Sequence, residues 1–177
     1  HTIRAMAKEV RQDAQQVLEK LYKTPLFSEM DQSIIDGTLA HRDVASHNFL
    51  ITQSGSCYLI DLDTVDYDIQ LVDLVQLMSR MLLMQGYRFD SFMEAIEAYT
   101  KVKPLSDAQI WMVFQMLRYP DNVLREVTGV YLKRPGYSAR GVYELLQMER
   151  RLRNERRAFL QSEQRIFQRI GPYTYVG

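Results

Sequence analysis

From Leu71 to about residue 168, apolar residues recur at helical spacing, and Gly86, Pro104, Pro120 and Pro135-Gly136 mark the breaks between helices. That pattern predicts helices at about 70–85, 89–101, 106–118, 121–132 and 138–168. Phe92, Ile96 and Tyr99 give the second of these a core face, and Ile110, Val113, Phe114 and Leu117 give one to the third. Ahead of them, Ile3, Met6, Val10, Ala14, Val17, Leu18 and Leu21 predict an amphipathic helix over 3–22 that Pro25 ends. The stretch from Pro25 to Gly37 reads as polar and irregular. Thr38 to His41 reads as a short extended piece, and two apolar runs, Phe49-Leu50-Ile51 and Cys57 to Ile60, flank Gln53-Ser54-Gly55-Ser56. Runs of that length around a Ser-Gly turn predict a β-hairpin. The fold class is therefore α+β and mostly α-helical: one helical bundle carrying one short β-hairpin.

With 46% hydrophobic residues in 177, the chain can bury a core as one domain. Its 22 basic and 22 acidic residues cancel, which argues against nucleic acid or a membrane surface as a partner. Leu71 to Met84 is broken by Asp73, Gln76 and Arg80, too polar for a spanning helix. The only cysteine, Cys57, excludes an internal disulfide and is expected to be a buried strand thiol. Met78, Met81, Leu82 and Met84 read as core. Between Arg140 and Arg169 stand eight Arg and four Glu, which predict a solvated, salt-bridged face, with docking to an acidic partner as the alternative. Tyr173, Tyr175 and Val176 form an aromatic tail. The chain opens on His1 directly into a helical pattern, which reads as a fragment, a processed product or the ordered remainder of a longer protein.

The chemistry concentrates in His41-Arg42-Asp43-Val44-Ala45-Ser46-His47-Asn48 and in Leu59-Ile60-Asp61-Leu62-Asp63. A regular hairpin turning between Ser54 and Gly55 would set Asn48 opposite Asp61, side chains on one face; a bulge would move the pairing by one residue. An amide oxygen and a carboxylate converging there make a hard-oxygen site suited to Mg²⁺. Asp43, on the loop entering the hairpin, is placed to accept a proton from an attacking hydroxyl, as phosphoryl transfer requires. Asp and Asn also cap turns, so each of the three has a structural alternative. Asp73 either caps the helix around Leu74 or braces the catalytic loop through backbone donors. Asp63 reads as a cap or loop ion pair, or else a substrate or second metal contact.

His-x-Asp-x-x-x-x-Asn followed by an apolar residue, Ile and Asp resembles the eukaryotic-like kinase superfamily. The short interval from Asn48 to Asp61, the Ile60-Asp61-Leu62-Asp63 text and Asp73-Leu74 resemble its aminoglycoside phosphotransferase and choline kinase branch. Within that branch, "YLIDLDTVDYDIQLVDLVQLM", "AYTKVKPLSDAQ" and Tyr119-Pro120 are most similar to bacterial spore-coat kinase-like proteins of the CotS type. The likeness runs from about Thr38 to Leu132.

That resemblance implies a protein-kinase-like C-lobe, with 1–37 leading, 38–68 carrying the catalytic and metal loops and 69–170 forming a helical subdomain. It maps Asp43 onto the catalytic base, Asn48 and Asp61 onto ligands of the Mg²⁺ that accompanies ATP, and His41 onto a bracing histidine. Arg42 departs from the glycine usual in the branch and is expected to be structural. The Gly-rich cover and strand lysine of such an ATP site have no counterpart before His41, so the N-lobe is expected to be a missing part of the same protein. Alone, the chain is expected to bind nucleotide weakly. The implied activity is transfer of the γ-phosphoryl of ATP to a hydroxyl on a small molecule or protein. The alternative is a pseudokinase serving as a structural coat or assembly component. Spore-coat proteins are the expected partners, with synthesis in the cytoplasm and residence in the coat.

Overall fold

The computed structural model describes residues 2–170. The side chains of Ile3 and Met6 and the tail residues Tyr173, Tyr175 and Val176 lie outside the described residues. Helix α1 (Thr2–Leu21) leads into α2 (Leu26–Ile35), and β1 (Leu39–Ala40) follows. A 3₁₀ turn at Ser46–Asn48 then opens the hairpin of β2 (Phe49–Ile51) and β3 (Cys57–Leu59). A second such turn, Leu62–Thr64, precedes β4 (Asp66–Tyr67). The remainder is helical: α3 (Leu71–Met84), α4 (Phe89–Thr100), α5 (Asp107–Met116), α6 (Asp121–Tyr131), α7 (Ala139–Arg151), α8 (Arg153–Gln161) and α9 (Glu163–Ile170). The class is α+β and mostly helical, as the sequence pattern predicts. Among the described residues, no helix is long and apolar enough to cross a membrane.

The core is built around α5, in which every residue from Ile110 to Gln115 is buried. A helix apolar on all sides belongs at the centre of its bundle. Its start is set by a capping box: the Ser106 hydroxyl accepts from the Gln109 amide and the Gln109 side chain accepts from the Ser106 amide. Phe92 of α4 meets Phe114 edge-on at 5.7 Å and Phe159 of α8 at 5.8 Å, while Trp111 stacks on Phe167 of α9 at 4.7 Å. Leu74, Met78 and Leu82 turn one face of α3 into this core. Met84, on another face, is 83% exposed, so the methionine group is core only in part.

Three local expectations are corrected. The stretch after Pro25 is not irregular but forms α2, because a proline at a helix start forfeits only an amide that has no intrahelical partner there. The basic C-terminal helix is not continuous: it bends at Leu152 and at Ser162, where the Ser162 hydroxyl bonds back to the Phe159 carbonyl at 2.6 Å. The bends bring Phe159, Leu160 and Ile166 onto the core. Burying each of them contributes roughly 1.5–3 kcal/mol, more than the approximately 1 kcal/mol of a helical hydrogen bond forgone. Cys57 is exposed rather than buried, since all three residues of β3 face solvent.

The hairpin register also differs from the regular two-residue turn. Thr52 and Ser56 close a three-residue loop, with the Thr52 amide donating to the Ser56 carbonyl and the Gly55 amide to the Thr52 carbonyl, each at 2.9 Å. Gly55 takes φ +83°, the left-handed position such a loop requires. Phe49 therefore pairs with Leu59, Leu50 with Tyr58 and Ile51 with Cys57. Strands β1 and β4 form a second antiparallel pair, Leu39 opposite Tyr67 and Ala40 opposite Asp66.

Candidate active site

Helix α3 has a polar stripe as well as its apolar face. Asp73, Gln76 and Arg80 are spaced three and four residues apart, so they share one side of the helix, and that side holds the 41–44 loop. The Asp73 carboxylate accepts the His41 amide at 2.7 Å and the Arg42 amide at 2.8 Å. Gln76 accepts from the Val44 amide and donates to the Arg42 carbonyl, both at 3.0 Å. Arg80 donates to the Val44 carbonyl at 2.6 Å. Asp73 thus braces the loop, while Gln70 stands at the helix cap. Arg42 sits at φ +66°, a conformation uncommon without glycine. The Asp73 bonds hold it there, and its guanidinium pairs with Asp66 at 3.1 Å and Asp68 at 3.7 Å.

His41 is buried and joins the two halves of the motif. Its Nδ1 accepts the Asp43 amide at 3.3 Å, so Nε2 carries the proton and donates to the Ile60 carbonyl at 2.9 Å. Its own carbonyl accepts the Thr64 hydroxyl at 2.6 Å. The histidine therefore ties down the Ile60 backbone before Asp61 and the Thr64 side chain after it.

Asp43 lies in the space between the loop, α3 and α6. The buried Asn48 donates its amide nitrogen to the Asp43 carbonyl at 2.9 Å and to Asp43 Oδ2 at 3.4 Å. The other carboxylate oxygen, Oδ1, meets Arg125 of α6 at 2.5 Å and Arg80 of α3 at 3.7 Å. Arg125 also reaches Asp121 at 3.5 Å. Burial lowers the Arg80 pKa from the usual guanidinium range; the charge of Arg125 pushes the same way, against Asp43 and Asp121.

The shifted register sets Asn48 opposite Ile60, not Asp61: the Ile60 amide donates to the Asn48 carbonyl at 2.9 Å. The three-residue loop causes the shift. Asp61 follows at φ +64°, ψ +70°, where strand alternation ends and the chain turns into the Leu62–Thr64 segment. Its carboxylate caps nothing in that turn and is exposed. Among the described residues, no three His, Cys, Asp or Glu side chains group as a metal site. Mg²⁺ is commonly held by one or two protein oxygens plus substrate phosphates, so a two-residue donor set is compatible with it. The donor chemistry of this pair fits: Asn48 Nδ2 is committed to Asp43, which turns Oδ1 away from that bond, and Asp61 supplies an uncommitted carboxylate.

No family model matches the chain. Among solved structures, it is similar to an aminoglycoside phosphotransferase from Alicyclobacillus acidocaldarius subsp. acidocaldarius DSM 446, with a TM-score of 0.76 at 20% sequence identity. The chain has an aminoglycoside-phosphotransferase-like fold. The match covers 94% of this chain and 50% of the other, so the chain spans half the length of that phosphotransferase. At that identity the likeness establishes the fold alone.

On this phosphotransferase-like fold, Asp43 and Asn48 are in direct contact, and Asp61 follows the residue opposite Asn48. His47 and Asp63 are exposed. Sequence reading missed Gln76, Arg80, Arg125 and Thr64. The first two had a signal: with Asp73 they form a polar stripe on an otherwise apolar helix. Arg125 had none, because 82 residues separate it from Asp43.

Proposed function

We propose that this chain is the catalytic and metal-binding C-lobe of an ATP-dependent phosphotransferase-like protein that moves the γ-phosphoryl group to a hydroxyl acceptor. The observation that carries the reading is the Asp43–Asn48 contact on a loop pinned by Asp73, Gln76 and His41. Asp43 takes the acceptor hydroxyl's proton as its oxygen bonds to the γ-phosphorus, and the bond to the bridging oxygen breaks to release ADP. Asn48 and Asp61 would hold Mg²⁺, which would supply neutralisation of the phosphate charge during transfer. Asn48 also orients the Asp43 carboxylate, and His41 keeps Asp61 at its turn.

The remaining nucleotide contacts belong, in this reading, to an N-lobe of the same protein. Two observations support that partner: the half-length match, and a hairpin region that exposes Leu50, Tyr58, Leu62 and Tyr67. The spore-coat placement, with coat proteins as partners, rests on the likeness of the segment from Tyr58 to Met78 to the CotS type. A second reading, a pseudokinase with a structural role in the coat, draws support from the arginines that occupy Asp43 Oδ1. The test is ATP hydrolysis or autophosphorylation by the full-length protein. Asp43→Asn and Asp61→Ala are each expected to lower it at least about a hundredfold. Activity unchanged in both variants refutes the assignment, and no activity in the parent favours the pseudokinase.

A further inference from the structure

We propose that Arg80 and Arg125 form an oxyanion-binding site beside Asp43, and that the acceptor carries a carboxylate or phosphate near its reacting hydroxyl. This rests on the phosphotransferase reading for the word acceptor, but the site itself does not. Two guanidinium groups from separate helices meet one carboxylate oxygen, Asp43 Oδ1, at 2.5 and 3.7 Å. Their side chains are only 18% and 28% exposed, so neither charge is fully solvated. Each guanidinium has five N–H donors. Arg80 places one on the Val44 carbonyl and turns another toward Asp43, and Arg125 places one on Asp43 and one on Asp121, so each keeps about three of its five. Burial and the facing Arg125 both oppose the Arg80 charge, and Asp43 and Asp121 offset them only in part. An added oxyanion would relieve that conflict.

The geometry also sorts acceptors. Asp43 Oδ2 is turned to Asn48 and Oδ1 to the arginines, so a hydroxyl reaching the carboxylate brings the rest of its molecule against α3 and α6. Charge-assisted, bidentate contacts are available there to a carboxylate or phosphate. An ammonium group at the same place faces two like charges, and the carboxylates beside it, Asp43 and Asp121, are already engaged by those guanidiniums. Polycationic acceptors are therefore disfavoured, and hydroxy acids or phosphate monoesters are favoured.

The experiment is titration of the 177-residue chain with inorganic phosphate, glycerol 3-phosphate and spermidine at matched ionic strength, followed by calorimetry and by backbone amide shifts of 42–48 and 121–126. Both phosphates are expected to bind saturably, with shifts at those amides. Arg80→Gln and Arg125→Gln should each weaken binding about tenfold. Asp43→Asn, which frees both guanidiniums at constant shape, should tighten it severalfold, and this holds even if an arginine variant fails to fold. Arg140→Gln, on a side chain 87% exposed elsewhere, should change nothing. Equal phosphate binding in the wild type, both arginine variants and Asp43→Asn overturns the site. Saturable spermidine binding that Asp43→Asn abolishes overturns the acceptor class. Because phosphate binding needs no turnover, a parent protein without kinase activity would end the phosphotransferase reading and leave this site standing.

Discussion

Replacing Asp73 with alanine removes the acceptor of two backbone amides while leaving the apolar face of α3 intact. The His41 and Arg42 amides, held at 2.7 and 2.8 Å, lose their partner together. A hydrogen bond to a charged group contributes roughly 1.5–3 kcal/mol when the site is dry. Asp73 is partly exposed and water can replace it at Arg42, so about 3 kcal/mol for the pair is the reasonable sum. Arg42 also loses what holds it at φ +66°, a conformation that is costly without glycine. The loop should therefore open locally long before the helical core does. Hydrogen exchange measures this directly: about 3 kcal/mol corresponds to a hundredfold or greater loss of protection at His41 and Arg42. Core amides in α5 should be much less affected. Asp73→Asn, which keeps one acceptor oxygen, should lie between. Unchanged exchange at both amides in Asp73→Ala would show that α3 does not pin this loop.

Arg42→Gly should fall within about 1 kcal/mol of the wild type in urea unfolding, because relief of the positive φ offsets two exposed ion pairs that contribute little. Gly129→Ala should cost about 1–3 kcal/mol, since its methyl would sit 2.3 Å from the Tyr137 ring; truncating Tyr137 in the same chain should recover part of it. Glu149, which accepts the Tyr87 hydroxyl at 3.2 Å, has its pKa raised, first by burial, so the folded chain holds that proton more tightly than the unfolded chain. Its contribution is then present at acid pH and lost as pH rises through the folded pKa; Glu149→Gln should gain stability over the wild type between urea titrations at pH 4 and pH 8. A gap that shrinks with rising pH would refute this.

What the residues determine by themselves is local. Gly86, Pro104, Pro120 and Pro135-Gly136 divide the helices because backbone freedom and missing donors act on neighbouring residues alone. The order His41, Asp43, Asn48, Asp61 with a Ser-Gly turn between the last two places the candidate chemistry on one loop and one hairpin by chain length alone. The register needed more: Thr52, Ser56 and Gly55 select a three-residue loop, and that choice moves Asp61 out of line with Asn48. The bends at Leu152 and Ser162 carry no glycine or proline; they exist because Phe159, Leu160 and Ile166 gain a core that a straight helix would miss. The arginines on Asp43 are decided last and at longest range. Where α6 lands against α3 depends on how whole helices pack, and only that packing brings Arg125 to a carboxylate 82 residues before it.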